Sequence, residues 1–287
     1  MKFRTEIQVQ QSNFTISHTH RIAMQGSCFT ENIASKFLNA GFTIDLNPFG
    51  IAYNPASLSH NLNRLFNNNT YTKDDLFKDK NVYHSFSHHS RFSGTDPNEV
   101  LKKINSRMEF SSAFLRSANL LIITFGTAYV YRLQSNDEIV SNCHKIPAKF
   151  FTYKRLSIEE IVREWSSLIN RLREFNPSIR LLFTVSPIRH WKDGAHENQL
   201  SKSILLLAVD ELLRNHSNCF YFPAYEILLD DLRDYRFYTE DMLHPSSQAV
   251  DYIWDIFKES WLDDETLIKA REFENNNKAL KHIPIIK

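Results

Sequence analysis

Short runs of apolar residues, separated by longer amphipathic segments, constrain this chain more than any other feature. Leu120-Leu121-Ile122-Ile123-Thr124 runs on toward Gly126, and Arg180–Val185 ends at Ser186-Pro187. A strand without a polar side has both faces buried, which is the condition of strands inside a parallel sheet. Arg21-Ile22-Ala23-Met24 and Phe220-Tyr221-Phe222 read as further short strands. Helical patterns lie between them. Residues 30–40 carry Ile33, Phe37 and Leu38 on one face, with Gly41 just past the end. Pro55–Phe66 has its proline in the first turn. Residues 99–117, 198–215 and 246–260 repeat the pattern. In residues 157–175, Ile161, Trp165, Leu168 and Leu172 recur at helical spacing, Ser157 stands as a cap, and Glu160 completes a capping box. Residues 67–98 read as polar and irregular, and the charged tail from Asp263 as a peripheral helix that frays. This alternation predicts βαβ units, and so an α/β fold: a three-layer α/β/α sandwich of flavodoxin-like build with a parallel sheet.

The 287 residues are expected to form one domain spanning residues 1–287, with a peripheral segment from about 263. With 42% hydrophobic and 23% charged residues, the chain has an ordinary globular composition and needs neither disulfide nor metal to build a core. Lys plus Arg number 34 against 33 Asp plus Glu, a balance that gives no electrostatic reason to expect nucleic acid as a partner. Cys28, Cys143 and Cys219 form no CxxC pair, which argues against a disulfide framework and a structural zinc site. The first twenty residues hold no apolar signal core, and no run approaches the ~18 apolar residues of a membrane span. A cytoplasmic protein is the expectation. His18, His20, His84, His88 and His89 lack ligand spacing and acidic partners, so no metal and no cofactor are expected.

In parallel sheets, sites sit at the carboxyl ends of strands. That rule singles out Gly26-Ser27-Cys28, Gly126-Thr127, Ser186-Pro187-Ile188-Arg189-His190 and the segment after Phe222. Ser27 sits where a strand turns into a helix. It reads either as a plain N-cap or as a nucleophile whose oxyanion the free N–H groups would favour. Cys28 is its neighbour and a competing nucleophile. Asp241 and His244, three apart before the last helix, can enter one site from a single turn. His244 would take a proton from a serine while Asp241 holds its tautomer. Arg189 reads either as a bidentate partner for a substrate carboxylate or phosphate, or as an ion-pair partner of Asp193, Glu197 or Asp234. Arg236, amid Tyr235, Phe237 and Tyr238, reads as a substrate contact or a stacked wall residue.

A nucleophile after the first strand and an Asp-x-x-His before the last helix resemble the SGNH (GDSL-like) hydrolases. Gly26-Ser27-Cys28-Phe29 is similar to the signature that names the GSCFA family, a branch of that type. The resemblance runs on through Asn47-Pro48-Phe49-Gly50-Ile51, His84-Ser85-Phe86 with His88-His89-Ser90 and Phe92-Ser93-Gly94, and Thr124-Phe125-Gly126-Thr127-Ala128. It continues in Asn142-Cys143-His144-Lys145-Ile146-Pro147, Thr184 to His190, Tyr221 to Glu226 and Asp234 to Tyr238, covering about Met24 to Phe257. It implies a serine-dependent ester hydrolase with Ser27, His244 and Asp241 as the triad, and a carbohydrate O-acetyl ester or other small-molecule ester as substrate. An acyltransferase using the same serine, or a non-catalytic binding protein, is the alternative. It also implies oxyanion donors from the N–H groups of Ser27 and Gly50 and from an Asn in the third block. That block here reads Gly126-Thr127-Ala128, so Thr127 or Asn142 is expected to replace the missing Asn. His88, His89 and His190 are expected to line the site.

Overall fold

The computed structural model describes residues 4–9, 14–67 and 69–281. Five strands form a parallel sheet: β1 (Arg21–Gln25), β2 (Thr43–Leu46), β5 (Leu120–Phe125), β9 (Arg180–Val185) and β10 (Cys219–Tyr221). Their spatial order is β10-β9-β5-β1-β2, with Ile22 beside Ile44 on one side and Leu120 on the other. Counting only these five strands, the order is 2-1-3-4-5, the flavodoxin-like arrangement. Connections from β1 and β5 leave in opposite directions, so a crevice opens at their carboxyl ends.

Side chains of the sheet alternate between two cores, as the two-residue period of a strand requires. Ala23, Leu121, Ile123, Phe125, Leu181, Phe183 and Val185 face one side. They pack under α2 (Pro55–Phe66), α3 (Pro97–Arg116), α4 (Ile158–Phe175) and α5 (Gly194–Asn215). Ile22, Met24, Leu120, Ile122 and Leu182 face the other, under α1 (Cys28–Asn39), α6 (Ser247–Trp261) and α7 (Asp264–Lys281). Each fully buried Leu, Ile or Phe contributes ~1.5–3 kcal/mol relative to exposure. Trp165 on α4 anchors the first core. Its ring meets Phe125 and Phe183 edge-on at 4.9 and 5.4 Å, and its Nε1–H donates to the Pro55 carbonyl at 3.1 Å. The predicted capping box is formed: the Ser157 hydroxyl accepts from Glu160 N–H, and the Glu160 carboxylate accepts from Ser157 N–H.

Residues 67–98 depart from the expectation of wholly irregular chain. A hairpin of β3 (Phe77–Asp79) and β4 (Val82–His84) lies within them. A second departure matters more. An antiparallel sheet of β6 (Tyr129–Leu133), β7 (Ile139–Val140) and β8 (Phe151–Arg155) stands between β5 and α4. Among the described residues, no helix is long and apolar enough to cross a membrane.

Candidate active site

The turn after β1 is built around a backbone approach that only glycine allows. A Cβ on Gly26 would stand 2.4 Å from Thr30 Oγ1 and 2.7 Å from Thr124 Cβ. The Gly26 N–H donates to Asn47 Oδ1 at 2.9 Å, and its carbonyl accepts from Ala52 N–H at 3.2 Å. Ser27 follows at the N-cap of α1, with φ −77° and ψ −177°. Its hydroxyl makes no capping bond to the helix and donates instead to Ser186 Oγ at 3.3 Å, past the end of β9. A plain N-cap serine would accept from the first-turn N–H groups. The Ser27 hydroxyl itself occupies none of those groups at the positive end of the helix dipole.

His244 and Asp241 reach the same end of the sheet. A small loop closes as Thr239 N–H donates to the His244 carbonyl at 2.8 Å, with Met242 at φ 58°. Asp241 Oδ1 accepts from the N–H groups of Leu243 (2.8 Å) and His244 (2.9 Å) and from the Thr239 hydroxyl (2.8 Å). Its Oδ2 meets His244 Nδ1 at 2.5 Å. These bonds, led by the backbone N–H groups of His244 and Leu243, hold the Asp241 carboxyl well below the usual carboxylate range. An ionised carboxylate only accepts, so Nδ1 carries a proton, and Nε2 is the ring nitrogen left to face the cavity. Nε2 makes no hydrogen bond to Ser27 Oγ, whose proton is directed at Ser186.

Ser27, Cys28 and His244 line one cavity of about 540 Å³. Ile51, Tyr53 and Asn54 come from the segment after β2, and Arg189, His190 and Trp191 from the segment after β9. The antiparallel sheet closes the remaining side with Tyr129, Tyr131 and Tyr153, and the chain after β7 adds Asn142 and Cys143. Tyr129 and Tyr153 stack at 4.7 Å, and their hydroxyls donate to Glu197 and Asp193.

Other expected residues fall in differing places. Thr127, Asn142, His89, Arg189 and His190 line the cavity. Gly50 does not: it sits at φ 87°, its N–H donates to the Asn47 carbonyl at 2.8 Å, and that turn leaves it no donor for an oxyanion. The Thr127 N–H is likewise taken by the Tyr53 carbonyl at 3.0 Å, and its hydroxyl by Ser201 and Tyr129 N–H. His88 is a core residue rather than a cavity residue. It packs on Phe49, Tyr71 and Phe92, bonds Ser85 through Nδ1, and burial pushes its imidazole down to about 3. Arg236 is largely exposed beside Asp234 and Phe237, away from the cavity. Among the described residues Arg189 forms no ion pair with Asp193, Glu197 or Asp234; it donates to the Met242 carbonyl and so tethers the loop that carries His244. Burial pushes the His190 imidazole down to about 3, which argues against it as a proton acceptor in the cavity. Burial also pushes the Cys28 thiol up, which weakens it as a rival nucleophile.

The GSCFA family model matches residues 21–257. The chain belongs to the GSCFA family. Among curated proteins, none matches this sequence. This GSCFA chain is similar to several solved structures. A Bacteroides fragilis protein assigned as an acylhydrolase shares 11% identity, with a TM-score of 0.44 over 88% of this chain and 91% of the other. A family two carbohydrate esterase from Clostridium thermocellum, solved with cellohexaose, shares 11% at 0.42 over 92% and 66%. The acetyl xylan esterase Est2A of Butyrivibrio proteoclasticus shares 9% at 0.41 over 89% and 66%. The overlap is loose.

Two groups at the site carry weak sequence signals. Lys202 is completely buried, and its ammonium donates to the carbonyls of Gly126 and Ser186, each at 2.6 Å. Its signal was its spacing: it lies three and seven residues before Leu205 and Val209, on the buried stripe of α5. Asn54 caps α2 from the cavity side, and the Asn-Pro pair ahead of a helical pattern was its signal.

Proposed function

We propose that this chain is a serine-dependent ester hydrolase. One observation carries the reading: Ser27, freed from capping at a helix N-terminus, shares a cavity with a His244 whose Nδ1 is held by ionised Asp241. In the reaction, the Ser27 hydroxyl turns from Ser186 toward His244 Nε2, which takes its proton as Oγ bonds the ester carbonyl carbon. The carbonyl electrons move to oxygen beside the N–H groups that open α1. The C–O bond to the alcohol then breaks, and His244 returns the proton to the departing oxygen. Water, deprotonated by His244, attacks the acyl-Ser27 carbonyl carbon; the C–Oγ bond breaks, the acid departs, and His244 returns the proton to Ser27 Oγ. Asp241 stabilises the imidazolium in both halves.

The substrate class we favour is an acylated carbohydrate, such as an O-acetyl ester. Flat apolar rings with polar rims suit sugar faces and hydroxyls, and Tyr129, Tyr131, Tyr153 and Trp191 supply them around the cavity. Labelling with a fluorophosphonate probe tests the chemistry. Wild-type protein is expected to label, and Ser27→Ala and His244→Ala to lose labelling. A wild type that never labels would favour a binding protein whose serine stays parked on Ser186. Labelling that persists in Ser27→Ala would remove Ser27 from the mechanism.

A further inference from the structure

We propose that Asn54 is a catalytic residue whose side-chain amide donates to the oxyanion. This inference rests on the acyl-transfer reading above and supplies the side-chain donor that the Gly126-Thr127-Ala128 segment lacks. Asn54 is a cavity residue with only 6% of its surface exposed. Its Oδ1 accepts from Ser57 N–H at 2.8 Å at the start of α2. That bond fixes which way the amide faces, because the oxygen must point to the helix and the nitrogen away from it. Nδ2 carries two donors and makes no hydrogen bond to any described residue. Those unused donors are open to the cavity, where a ligand oxygen or water completes them.

The backbone around Asn54 is fixed to the nucleophile's own turn. Two residues earlier, Ala52 N–H bonds the Gly26 carbonyl at 3.2 Å, next to Ser27. The Tyr53 carbonyl accepts from Gly126 N–H at 2.7 Å and from Thr127 N–H at 3.0 Å. The Asn54 carbonyl accepts from Leu58 N–H at 3.1 Å, and the Pro55 carbonyl from buried Trp165. Oxyanion donors act by being in place before charge develops, and this rigidity provides that. The same bonds show why the third-block segment supplies nothing: both of its leading N–H groups are consumed by Tyr53. Asn142 also has an uncommitted Nδ2, but it is half-buried in the chain after β7, tied to Phe86 and His144 rather than to the Ser27 turn. During attack no proton leaves Asn54. Its N–H···O bond shortens as the carbonyl π electrons settle on oxygen and relaxes when the double bond re-forms.

The test uses substitutions that keep the cap. Asn54→Asp retains an oxygen for Ser57 N–H but loses both donors. Asn54→Ser retains a capping oxygen without adding a repelling charge. With p-nitrophenyl acetate as the probe, kcat is expected to fall ~100- to 1,000-fold in both, with KM changed only a few-fold and the unfolding midpoint in urea close to wild type. Ser27-dependent turnover that survives unchanged in both variants overturns this inference alone, as does a matching loss found in Asn142→Ala instead. Wild type without Ser27-dependent turnover overturns the acyl-transfer reading, and this inference with it.

Discussion

Replacing Lys202 with methionine probes the tie beneath the site, and the structure sets the size of the effect. The ammonium is wholly buried and holds the strand ends at Gly126 and Ser186 through two carbonyl bonds. Among the described residues no carboxylate pairs with it. Burial pushes it down from 10.5 to about 7. Unfolding returns it to water and its ordinary value. Between about pH 7 and 10.5 the unfolded chain therefore binds more protons than the folded one, so stability rises with pH across that window. Below pH 7 the folded state bears the full cost of a desolvated charge. The slope approaches ~1.4 kcal/mol per pH unit, and integration from pH 7 to 9 gives a gain of about 2 kcal/mol. Lys202→Met has a similar volume and no proton to lose, so it lacks this gain. Urea unfolding of both proteins at pH 7, 8 and 9 measures it as a difference that cancels all other titrations. The wild type is expected to gain about 2 kcal/mol over the variant between pH 7 and 9. A difference that stays flat within ~0.5 kcal/mol would mean that the amine keeps its ordinary proton affinity, and the argument from burial would be wrong.

Two further substitutions bear on the catalytic turn and loop. Asp241→Asn keeps an oxygen for the loop N–H groups but directs an amide at Nδ1, so the imidazole must change tautomer; p-nitrophenyl acetate turnover is expected to fall about 100-fold, less than the ~10,000-fold of a buried triad aspartate because this pair is half exposed. A loss under ~3-fold would remove Asp241 from the mechanism. Gly26→Ala inserts a Cβ 2.4 Å from Thr30 Oγ1 and 2.7 Å from Thr124 Cβ, and is expected to cost ~1–3 kcal/mol in urea unfolding and at least ~10-fold in turnover. Wild-type stability in this variant would show that the turn has room the distances deny.

Much of the sheet was legible because burial writes itself into composition. β5 and β9 are enclosed on both faces, so their residues are almost all apolar, and Arg180–Val185 has the expected bounds. β2 was missed because Thr43–Leu46 is a short edge strand with an exposed end and a buried aspartate, a pattern shared with many loops. The antiparallel sheet was missed for a related reason: Tyr129, Tyr131 and Tyr153 present rings to a cavity, so polar and apolar positions blur. At the site, the Ser27 turn and the Asp241–His244 pair could be read from strand ends and spacing. Gly50 misled because its glycine serves backbone geometry: a Cβ there would strike His89 at 2.2 Å, while its N–H closes a turn. Asn54 and Lys202 depend on which neighbouring carbonyls and amides are already bonded, and spacing along a chain does not record that.

The proposed reacting groups, Ser27, Asp241 and His244, come from the carboxyl end of the parallel sheet and the loop before α6, whereas the tyrosine side of the cavity belongs to a separate excursion of the chain between β5 and α4. On that proposal, bond cleavage and much of recognition therefore fall to different stretches of sequence. Drift in residues 129–155 can retune which molecules are admitted while the machinery that cuts them stays as it is, much as a lock's wards can be refiled without touching its bolt.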